Sequence, residues 1–315
     1  MPKTNNSINI KKYLHCSKCG GEVKTNNKTV ECVLCHKCYP MIDGSIPDMT
    51  IDVSSETEIS LKKWDELYSN KKYLADLEKD YKIHFLGNIL EQLIEYIPKT
   101  KNGETFLEIG SGSAIVGEQF AKEGYFFIGI DFSISALRYL KSRLDKNGIK
   151  NYLLVRGDIQ NMPIRNNVIN AIYGGGVIEH FKNTQVVINH LYRILKKGGV
   201  SFNSVPVFNI GNLIYRSRWG GIPNVPILKQ ITEFIHVKLL KSRYMVFGYE
   251  LQFTQEQLRQ LHINAGFLPQ KIHISRFRCE VQLNGIVNKK LRSFLIGLCD
   301  NNKNFWPGVK VVSFK

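Results

Sequence analysis

Residues 105–117 have the sequence TFLEIGSGSAIVG, which predicts a short apolar strand, a glycine-rich turn and the beginning of a helix. In doubly wound α/β sheets, a strand that leads into a glycine turn at a helix N-terminus brings the backbone close to a bound nucleotide. A single turn of this kind is a weak signal. Its meaning depends on whether further strand and helix units follow it along the chain.

Two such units follow, and each strand leads to an acidic residue. The segment YFFIGID ends at Asp131, and NYLLVRGD ends at Asp158. An acidic side chain at the tip of the second strand can accept both hydroxyl groups of a ribose. We expect the Asp158 carboxylate to accept from an adenine amino group, with Ile159 beside it to cover the ring. The helix between these strands is predicted to end at Gly148.

This order of motifs resembles a class I S-adenosylmethionine-dependent methyltransferase of the ubiquinone/menaquinone-biosynthesis type. The first motif of that family, an acidic residue followed by alternating glycines, is matched by Glu108, Gly110 and Gly112. Ala114 stands where a third glycine is usual. The resemblance implies a Rossmann-like α/β fold, with a seven-stranded, mostly parallel sheet and helices on both faces. It also implies that the seventh strand inserts antiparallel between strands five and six.

The resemblance further implies S-adenosyl-L-methionine as the cofactor and a set of residues that bind it. In this sequence the set is Glu108, Gly110, Gly112, Asp131, Phe132, Asp158, Ile159 and Gly175. Glu108 would help to orient the methionine ammonium group. The sequence departs from the family at Asn170, where an aspartate is usual, and in the bare glycines of residues 174–176. Those glycines either leave room for methyl donor and substrate or form a flexible turn.

The sequence offers one main candidate for a general base. Methyl transfer from a sulfonium is an in-line displacement on an activated carbon, so positioning and desolvation can supply much of the acceleration. A base is needed only when the acceptor is a poor nucleophile. His180 follows the fourth strand and has an imidazole that titrates near neutral pH. The alternative is a histidine at a helix start that forms only local hydrogen bonds.

Four cysteines near the N-terminus form two C-x-x-C pairs, which are Cys16 with Cys19 and Cys32 with Cys35. This spacing is typical of two knuckles that bind one zinc ion through four thiolates, in a closed structural site. A chain of 315 residues with 43% hydrophobic content does not need disulfides to support its core. Cys38 and His36 are left out of the predicted ligand set.

The sequence after these cysteines resembles the end of the small zinc ribbon found in the activator protein of tRNA methyltransferases and fused to the front of many bacterial methyltransferases. In that ribbon a Tyr-Pro, an acidic-Gly turn and an Ile-Pro follow the second knuckle, as in residues 39–47 here. We therefore expect a zinc ribbon over residues 1–55 and a methyltransferase domain over residues 56–315. Residues 209–250 are expected to form an insertion that covers the substrate.

The predicted insertion mixes aromatic, aliphatic and basic residues, and three interpretations stay open. It can bind RNA through contacts to phosphates and stacking on bases. It can also rest on an anionic bilayer while a lipid-linked or amphiphilic acceptor enters the site. It can also be a helical cap packed on the domain. Trp64 and Tyr68 lie on a predicted amphipathic helix before the sheet, where we expect packing in the core or in a lid over the cofactor.

The chain is strongly basic, with a formal net charge of +16 and a pI of about 9.4. This charge favours an acidic partner such as RNA or an anionic membrane surface. The alternative is that a composition rich in lysine and asparagine is common to most proteins of the source organism. The N-terminal sequence has no apolar run typical of a signal peptide, and no later segment is apolar for the length of a membrane span. We expect a cytoplasmic protein.

Three functions fit these features. The leading hypothesis is a methyltransferase that acts on a small-molecule, lipid-linked or glycan-linked acceptor. The second is an RNA methyltransferase for rRNA or tRNA, because a zinc ribbon also precedes this fold in a ribosomal RNA guanine methyltransferase family. Against it, the chain lacks the Asn-Pro-Pro-Tyr type tetrad of many base-amine methyltransferases. The third is a non-catalytic cofactor-binding or partner-binding protein, which the departures at Ala114 and Asn170 favour and the acidic motif residues oppose.

Overall fold

The computed structural model describes residues 6–26, 28–51, 63–80, 86–98, 100, 103–215, 221–241, 248–278 and 288–315. Its helices are α1 Asn6–Tyr13, α2 63–69, α3 Lys71–Asp80, α4 Leu86–Ile94, α5 Ile115–Lys122, α6 Ile134–Lys146, α7 Thr184–Ile194, α8 Ile210–Tyr215, α9 Pro226–Glu233, α10 Gln255–Ala265 and α11 Lys289–Asn301. The π-helical turn Phe234–Leu239 continues α9. Parts of the predicted insertion, residues 216–220 and 242–247, lie outside the described residues, as do residues 52–62 around the predicted domain boundary.

The strands are β1 Val23–Thr25, β2 Thr29–Cys32, β3 Cys38–Ile42, β4 Ile46–Pro47, β5 Thr105–Ile109, β6 Phe126–Asp131, β7 Tyr152–Arg156, β8 Ile169–Gly175, β9 Leu195–Pro206, β10 Ile222–Pro223, β11 Leu251–Gln252, β12 Ile272–Arg276 and β13 Gly308–Phe314. The main sheet has the order β12-β13-β9-β8-β5-β6-β7. Strand β13 lies antiparallel between β9 and β12, and the remaining pairs of this sheet are parallel. The predicted fold class and the inserted antiparallel seventh strand are thus confirmed.

Local sequence explains where these elements begin and end. Every residue of β5 is buried, as expected for a central strand covered by helices on both faces. At the start of α10 the Thr254 hydroxyl accepts from Gln257 N, and the Gln257 side chain accepts from Thr254 N, which completes a capping box. Gly266 ends this helix with a φ of 110°, where glycine costs least. Helix α10 is thus bounded by a capping box at one end and a glycine at the other.

Asn170, a departure from the family pattern, lies at the amino end of β8. Its Oδ1 accepts from the backbone N–H of Thr105 at 3.0 Å and from Lys196 Nζ at 2.9 Å. The side chain therefore joins the starts of three neighbouring strands. This end of the sheet is opposite to the carboxyl ends where α/β sheets bind ligands, so the departure is structural.

The N-terminal segment forms a four-stranded antiparallel sheet in the order β1-β2-β3-β4, and its end pairs with the edge strand β7 of the main sheet. Met49 N donates to Arg156 O at 2.8 Å, and Asp48 forms a parallel bridge with Arg156. The Arg156 guanidinium also donates to the Asp48 carboxylate at 2.8 Å. The small sheet thus covers backbone groups of β7 that an edge strand leaves unpaired.

The two sheets also share one hydrophobic core. Tyr13, 2% exposed, stacks on Phe126 of β6 with the ring centroids 5.0 Å apart. Leu14 is fully buried and bridges to Ile164, which follows β7. Residues of the small sheet and of the strands β5 to β8 belong to one continuous cluster of buried side chains. Folding of the N-terminal segment is therefore coupled to folding of the main sheet.

Among the residues that the structure describes, no helix combines the length and the apolar character needed to cross a membrane.

Replacement of Tyr13 by alanine tests this shared core. We expect Tyr13→Ala to lower the free energy of unfolding by about 3 kcal/mol, because a buried aromatic ring is lost and a cavity remains. Urea unfolding followed by circular dichroism and by fluorescence should show one shared transition. As a matched control, Phe294→Ala removes a ring that is 62% exposed and should change stability by about 0.5 kcal/mol or less. Equal effects of the two variants would contradict the shared core.

Candidate active site

One cavity of about 470 Å³ lies at the carboxyl ends of β5, β6, β7 and β8, where parallel α/β sheets bind ligands. All the residues predicted to contact the cofactor line this cavity, and they are Glu108, Gly110, Gly112, Asp131, Phe132, Asp158, Ile159 and Gly175. His180 lines the same cavity. Candidates that are dispersed along the sequence are thus neighbours in the fold.

The Asp131 carboxylate at the tip of β6 accepts two backbone hydrogen bonds. Its Oδ2 accepts from Gly112 N at 2.7 Å and its Oδ1 from Ser133 N at 2.8 Å. Burial raises the pKa of Asp131 to about 6, although these N–H groups favour the charged form. Because a carboxylate has about four lone-pair sites, Asp131 keeps the capacity to accept from a ligand's hydroxyl groups.

The glycine turn after β5 has a backbone that only small residues tolerate. Gly110 and Gly112 have φ values of 53° and 47°, in the left-handed region. A Cβ on Gly112 would lie 2.1 Å from the Tyr68 hydroxyl, and one on Gly110 would lie 2.7 Å from Val177. Ala114 has a φ of 41°, so the usual third glycine of this motif is explained by backbone conformation, at a cost to alanine of about 1 kcal/mol.

Two polar groups of the cavity wall differ in their hydrogen bonding, Ser111 in this turn and Asp158 after β7. The Ser111 hydroxyl is buried and has no hydrogen-bond partner among the described residues, which is costly unless a ligand supplies one. A polar small molecule such as S-adenosyl-L-methionine therefore fits this part of the cavity. The Asp158 carboxylate accepts from Gln160 N at 2.8 Å, and burial raises its pKa.

Glu108 lies on β5 and is almost fully buried. Its Oε2 accepts from Gly117 N at 2.7 Å, so the carboxylate satisfies a backbone donor in the first turn of α5. Burial raises the pKa of Glu108 to about 8, against the opposing effects of the Gly117 N–H and the Arg143 guanidinium. The side chain thus has a structural contact that the sequence did not predict, in addition to its place in the cavity wall.

Helix α2 closes one side of the cavity. Trp64 and Tyr68 both line it and stack with ring centroids 6.1 Å apart. The Trp64 ring also meets His180 edge to face at 6.3 Å. The Asp65 carboxylate accepts from the Ser133 hydroxyl, which ties the helix to the loop after β6. Of the two expectations for this helix, the geometry therefore favours a lid.

His180 lies in the 3-10 turn Ile178–His180 after β8. Its Nδ1 is 2.6 Å from the carbonyl oxygen of Tyr249, and a carbonyl can only accept, so Nδ1 carries the proton. In the neutral ring the lone pair is then on Nε2, the nitrogen that a general base requires. This bond joins positions 69 apart in the sequence, so it is not the local hydrogen bond considered in the sequence analysis, and it fixes the tautomer and the orientation of the ring.

Several residues that line the same cavity as His180 were not predicted from the sequence, among them Tyr173, Lys182, Asn183 and Tyr249. Lys182 Nζ lies 5.6 Å from the centre of the Tyr249 ring, a cation–π distance. The only sequence signal for Lys182 and Asn183 is their position directly after the histidine of the HFKN segment. Tyr249 gives no signal, because it comes from the far end of the predicted insertion.

The predicted thiol site is formed as well. The Sγ atoms of Cys16, Cys19, Cys32 and Cys35 all lie within 4.8 Å of one another. Burial raises the pKa of Cys32, but hydrogen bonds from the N–H groups of Cys35 and Leu34 and from the Cys19 and Cys35 side chains together lower it to about 6. The Tyr39 hydroxyl lies 3.1 Å from Cys16 Sγ. Four clustered sulfurs with such hydrogen bonds fit a tetrahedral zinc ion.

The two neighbouring groups that were left out of the ligand set lie apart from this cluster. Cys38 is exposed, with its Sγ 3.7 Å from the His36 carbonyl oxygen. His36 Nδ1 is 3.6 Å from the Glu31 carboxylate. Neither belongs to the group of clustered sulfurs.

Comparison with known proteins gives one family match and several distant relatives. A family model described as a methyltransferase domain matches residues 107–202, from β5 into β9. The ubiquinone/menaquinone biosynthesis C-methyltransferase of Wigglesworthia glossinidia brevipalpis is 18% identical to this chain over 210 residues. That alignment covers 64% of this chain and 82% of the relative.

Two solved structures share the fold. Phosphoethanolamine N-methyltransferase 2 of Haemonchus contortus, in complex with S-adenosyl-L-methionine, has a TM-score of 0.57 and 18% identity, and the match covers 85% of this chain and 61% of that chain. The Haloferax volcanii complex of the Trm112 methyltransferase activator with a methyltransferase gives a TM-score of 0.55 and 11% identity, over 80% of this chain and 96% of that chain. At these identities the likeness shows the fold alone.

The buried Glu108 carboxyl predicts a pH dependence of stability. Its pKa rises from an ordinary 4.5 to about 8 on folding, so its contribution to stability is complete below pH 4.5 and is lost as the pH rises through 8. In urea titrations, the free energy of unfolding of Glu108→Gln minus that of wild type should therefore increase as the pH rises from 4.5 to about 8. As a control, Glu123→Gln at the exposed end of α5 should change with pH in parallel with wild type. Parallel curves for Glu108→Gln would contradict the assignment.

Proposed function

This chain carries a class I S-adenosylmethionine-dependent methyltransferase domain, and we propose that it methylates a small-molecule, lipid-linked or glycan-linked acceptor. The observation that carries the proposal is the cavity at the strand ends, where the motif residues of β5, β6 and β7 face the same space as His180. The two enzymes compared above are named for ubiquinone/menaquinone biosynthesis and for phosphoethanolamine, and this supports a small-molecule or lipid-linked acceptor.

We assign the two ends of the cofactor from the chemistry of the cavity wall. Asp131 accepts from the ribose hydroxyls, with Phe132 beside it. Asp158 accepts from the adenine amino group while Ile159 covers the ring. The bare turn of Gly110 and Gly112, with the buried Ser111 hydroxyl, accommodates the methionine end, and Glu108 and Gly175 flank it. When bound, S-adenosyl-L-methionine supplies an electrophilic methyl group on a sulfonium.

The acceptor is assigned to the part of the cavity next to His180. The bond from its Nδ1 to the Tyr249 carbonyl orients the ring. Nε2 would take the proton from an acceptor O–H, N–H or acidic C–H, while the methyl carbon would bond to the acceptor atom and its bond to the sulfonium sulfur would break. Lys182 contributes a positive charge and Asn183 an amide to the same wall. An acceptor with a polar or anionic group at its reactive end fits this arrangement.

The N-terminal thiolates are assigned to a structural zinc ion. Cys16, Cys19, Cys32 and Cys35 supply four ligands and leave no open position, so the ion stabilises the ribbon and takes no part in the transfer. We propose residues 1–55 as the ribbon, residues 56–315 as the methyltransferase domain and residues 209–250 as its substrate cover. Reduced thiolates are most easily maintained in the cytoplasm, which is the proposed location.

Zinc content tests the thiol assignment. Protein purified without chelator is expected to contain about one zinc ion per chain by elemental analysis. Cys19→Ser should lose the metal and lower the melting temperature, since metal binding contributes folding free energy. The matched control Cys38→Ser should keep both. Metal that is absent from wild type, or lost equally in the two variants, would show the assignment to be wrong.

Transfer of a tritiated methyl group tests the function. Labelled S-adenosyl-L-methionine is incubated with the protein and a lysate of the source organism, which is then separated into RNA, lipid, glycan and soluble pools. Label is expected in one of the last three. His180→Gln should slow the transfer about a hundred-fold or more with unchanged cofactor affinity by calorimetry, because a general base acts only on the chemical step. His273→Gln, at an exposed position of β12, serves as the control.

Label confined to RNA would replace the proposal with the RNA methyltransferase that the net charge of +16 also fits. Cofactor binding without label in any pool would support the non-catalytic alternative. Asp131→Ala should abolish cofactor binding, and unchanged affinity in that variant would refute the ribose assignment.

A further inference from the structure

Helix α9 and the turn that follows it expose an unusual number of large apolar side chains. Across residues 226–241, here called the docking segment, eight such side chains are between 36% and 74% exposed. They are Ile227, Leu228, Ile231, Phe234, Ile235, Val237, Leu239 and Leu240. Neither α9 nor the π-helical turn contains a buried residue. Contiguous exposed apolar surface of this kind marks an interaction site.

Four polar residues of the docking segment lie on the opposite side, toward the protein. Lys229, Thr232, Glu233 and His236 are only half-exposed, and their spacing of three or four residues places them on one face of the helix. A surface helix of an ordinary globular domain has the reverse arrangement, with its apolar stripe toward the core. The docking segment therefore does not behave as a cap packed on the domain through its apolar residues.

The charges of the segment indicate which partner its apolar face meets. It contains three lysines and one acid, Glu233. Lys238 and Lys241 are exposed beside the apolar side chains, whereas Glu233 is turned inward and accepts from the Tyr249 hydroxyl. A helix with a large apolar face and flanking lysines lies in the interface of an anionic bilayer, where apolar burial and attraction to lipid headgroups add.

The same segment is connected to the cavity through one residue. The Tyr249 side chain donates to Glu233 of α9, and the Tyr249 backbone carbonyl binds His180 Nδ1. Tyr249 itself lines the cavity. A molecule that leaves a bilayer beneath α9 would thus reach the cavity on the side of His180.

We propose that the docking segment inserts into the surface of an anionic membrane and that the methyl acceptor is an amphiphile taken from that membrane. The membrane contact is independent of the catalytic assignment. The statement on the acceptor rests on the proposed function and narrows it to lipid-linked molecules whose polar end enters the cavity.

Sedimentation with vesicles tests the membrane contact, using the full chain without added cofactor. Wild type should bind vesicles of phosphatidylcholine mixed with phosphatidylglycerol more strongly than vesicles of phosphatidylcholine alone, and added salt should weaken the binding. The double variant Ile231→Ser/Phe234→Ser should reduce the partition coefficient about ten-fold or more, because two side chains that enter the bilayer are removed. Circular dichroism should show unchanged folding, since both side chains are exposed.

The matched control is Leu291→Ser/Phe294→Ser on α11, which removes two side chains of the same kind that are 49% and 62% exposed. It should bind vesicles as wild type does. Equal loss in both double variants, or no vesicle binding by wild type, would overturn the proposal. So would a wild-type dimer, seen by light scattering, that the α9 variant dissociates, because the apolar face would then be an interface between two copies.

The two proposals fail separately. If no pool of the lysate accepts label while wild type still binds anionic vesicles, the proposed function falls and the membrane contact stands. If label enters soluble metabolites and the α9 variant transfers it at the wild-type rate, methyl transfer stands and the amphiphilic acceptor is refuted.

Discussion

The backbone N–H of Gly112 donates to the carboxylate of Asp131, and this bond joins the turn after β5 to the tip of the neighbouring strand β6. The turn has left-handed backbone at Gly110, Gly112 and Ala114, so it needs an external contact to keep its shape. Glu108 provides a second contact through the first turn of α5. The floor of the cavity therefore depends on two carboxylates, the buried Glu108 and the half-buried Asp131, each of which accepts from backbone and lines the space that a ligand would enter.

The small N-terminal sheet acts on the same cavity from the other side. Its end pairs with β7 through Met49 and Asp48, and β7 leads directly to Asp158. The residues that follow β4 thus cover an edge strand that would otherwise have unpaired backbone groups. Tyr13 adds an apolar contact to β6. None of the N-terminal residues that the structure describes lines the cavity, yet they contact β6 and β7, two of the strands that end there.

Much of this arrangement could be predicted from sequence because it is local. A glycine turn after a strand, an acidic residue at a strand tip, paired C-x-x-C knuckles and the Thr254 cap depend on residues a few positions apart. The remaining features join distant parts of the chain. The contact of His180 with Tyr249 and the stacking of Tyr13 on Phe126 have no local signature, since only the packed fold brings these residues together. The outward apolar face of α9 also escaped prediction, because a period of 3.6 residues shows that a helix has two faces and not which of them meets the protein.

The N-terminal sheet and the strand that it covers belong to one polypeptide, and this has a kinetic and stoichiometric consequence. Docking of Met49 beside β7 is an intramolecular event, governed by an effective concentration that the connecting chain sets. The contact between the two sheets, apolar at Tyr13 and polar at the Asp48–Arg156 pair, is therefore not separated by dilution. Each main sheet is also synthesised together with the N-terminal sheet that covers its edge strand. The two sheets are therefore always present in a one-to-one ratio, which does not depend on the expression of a second protein.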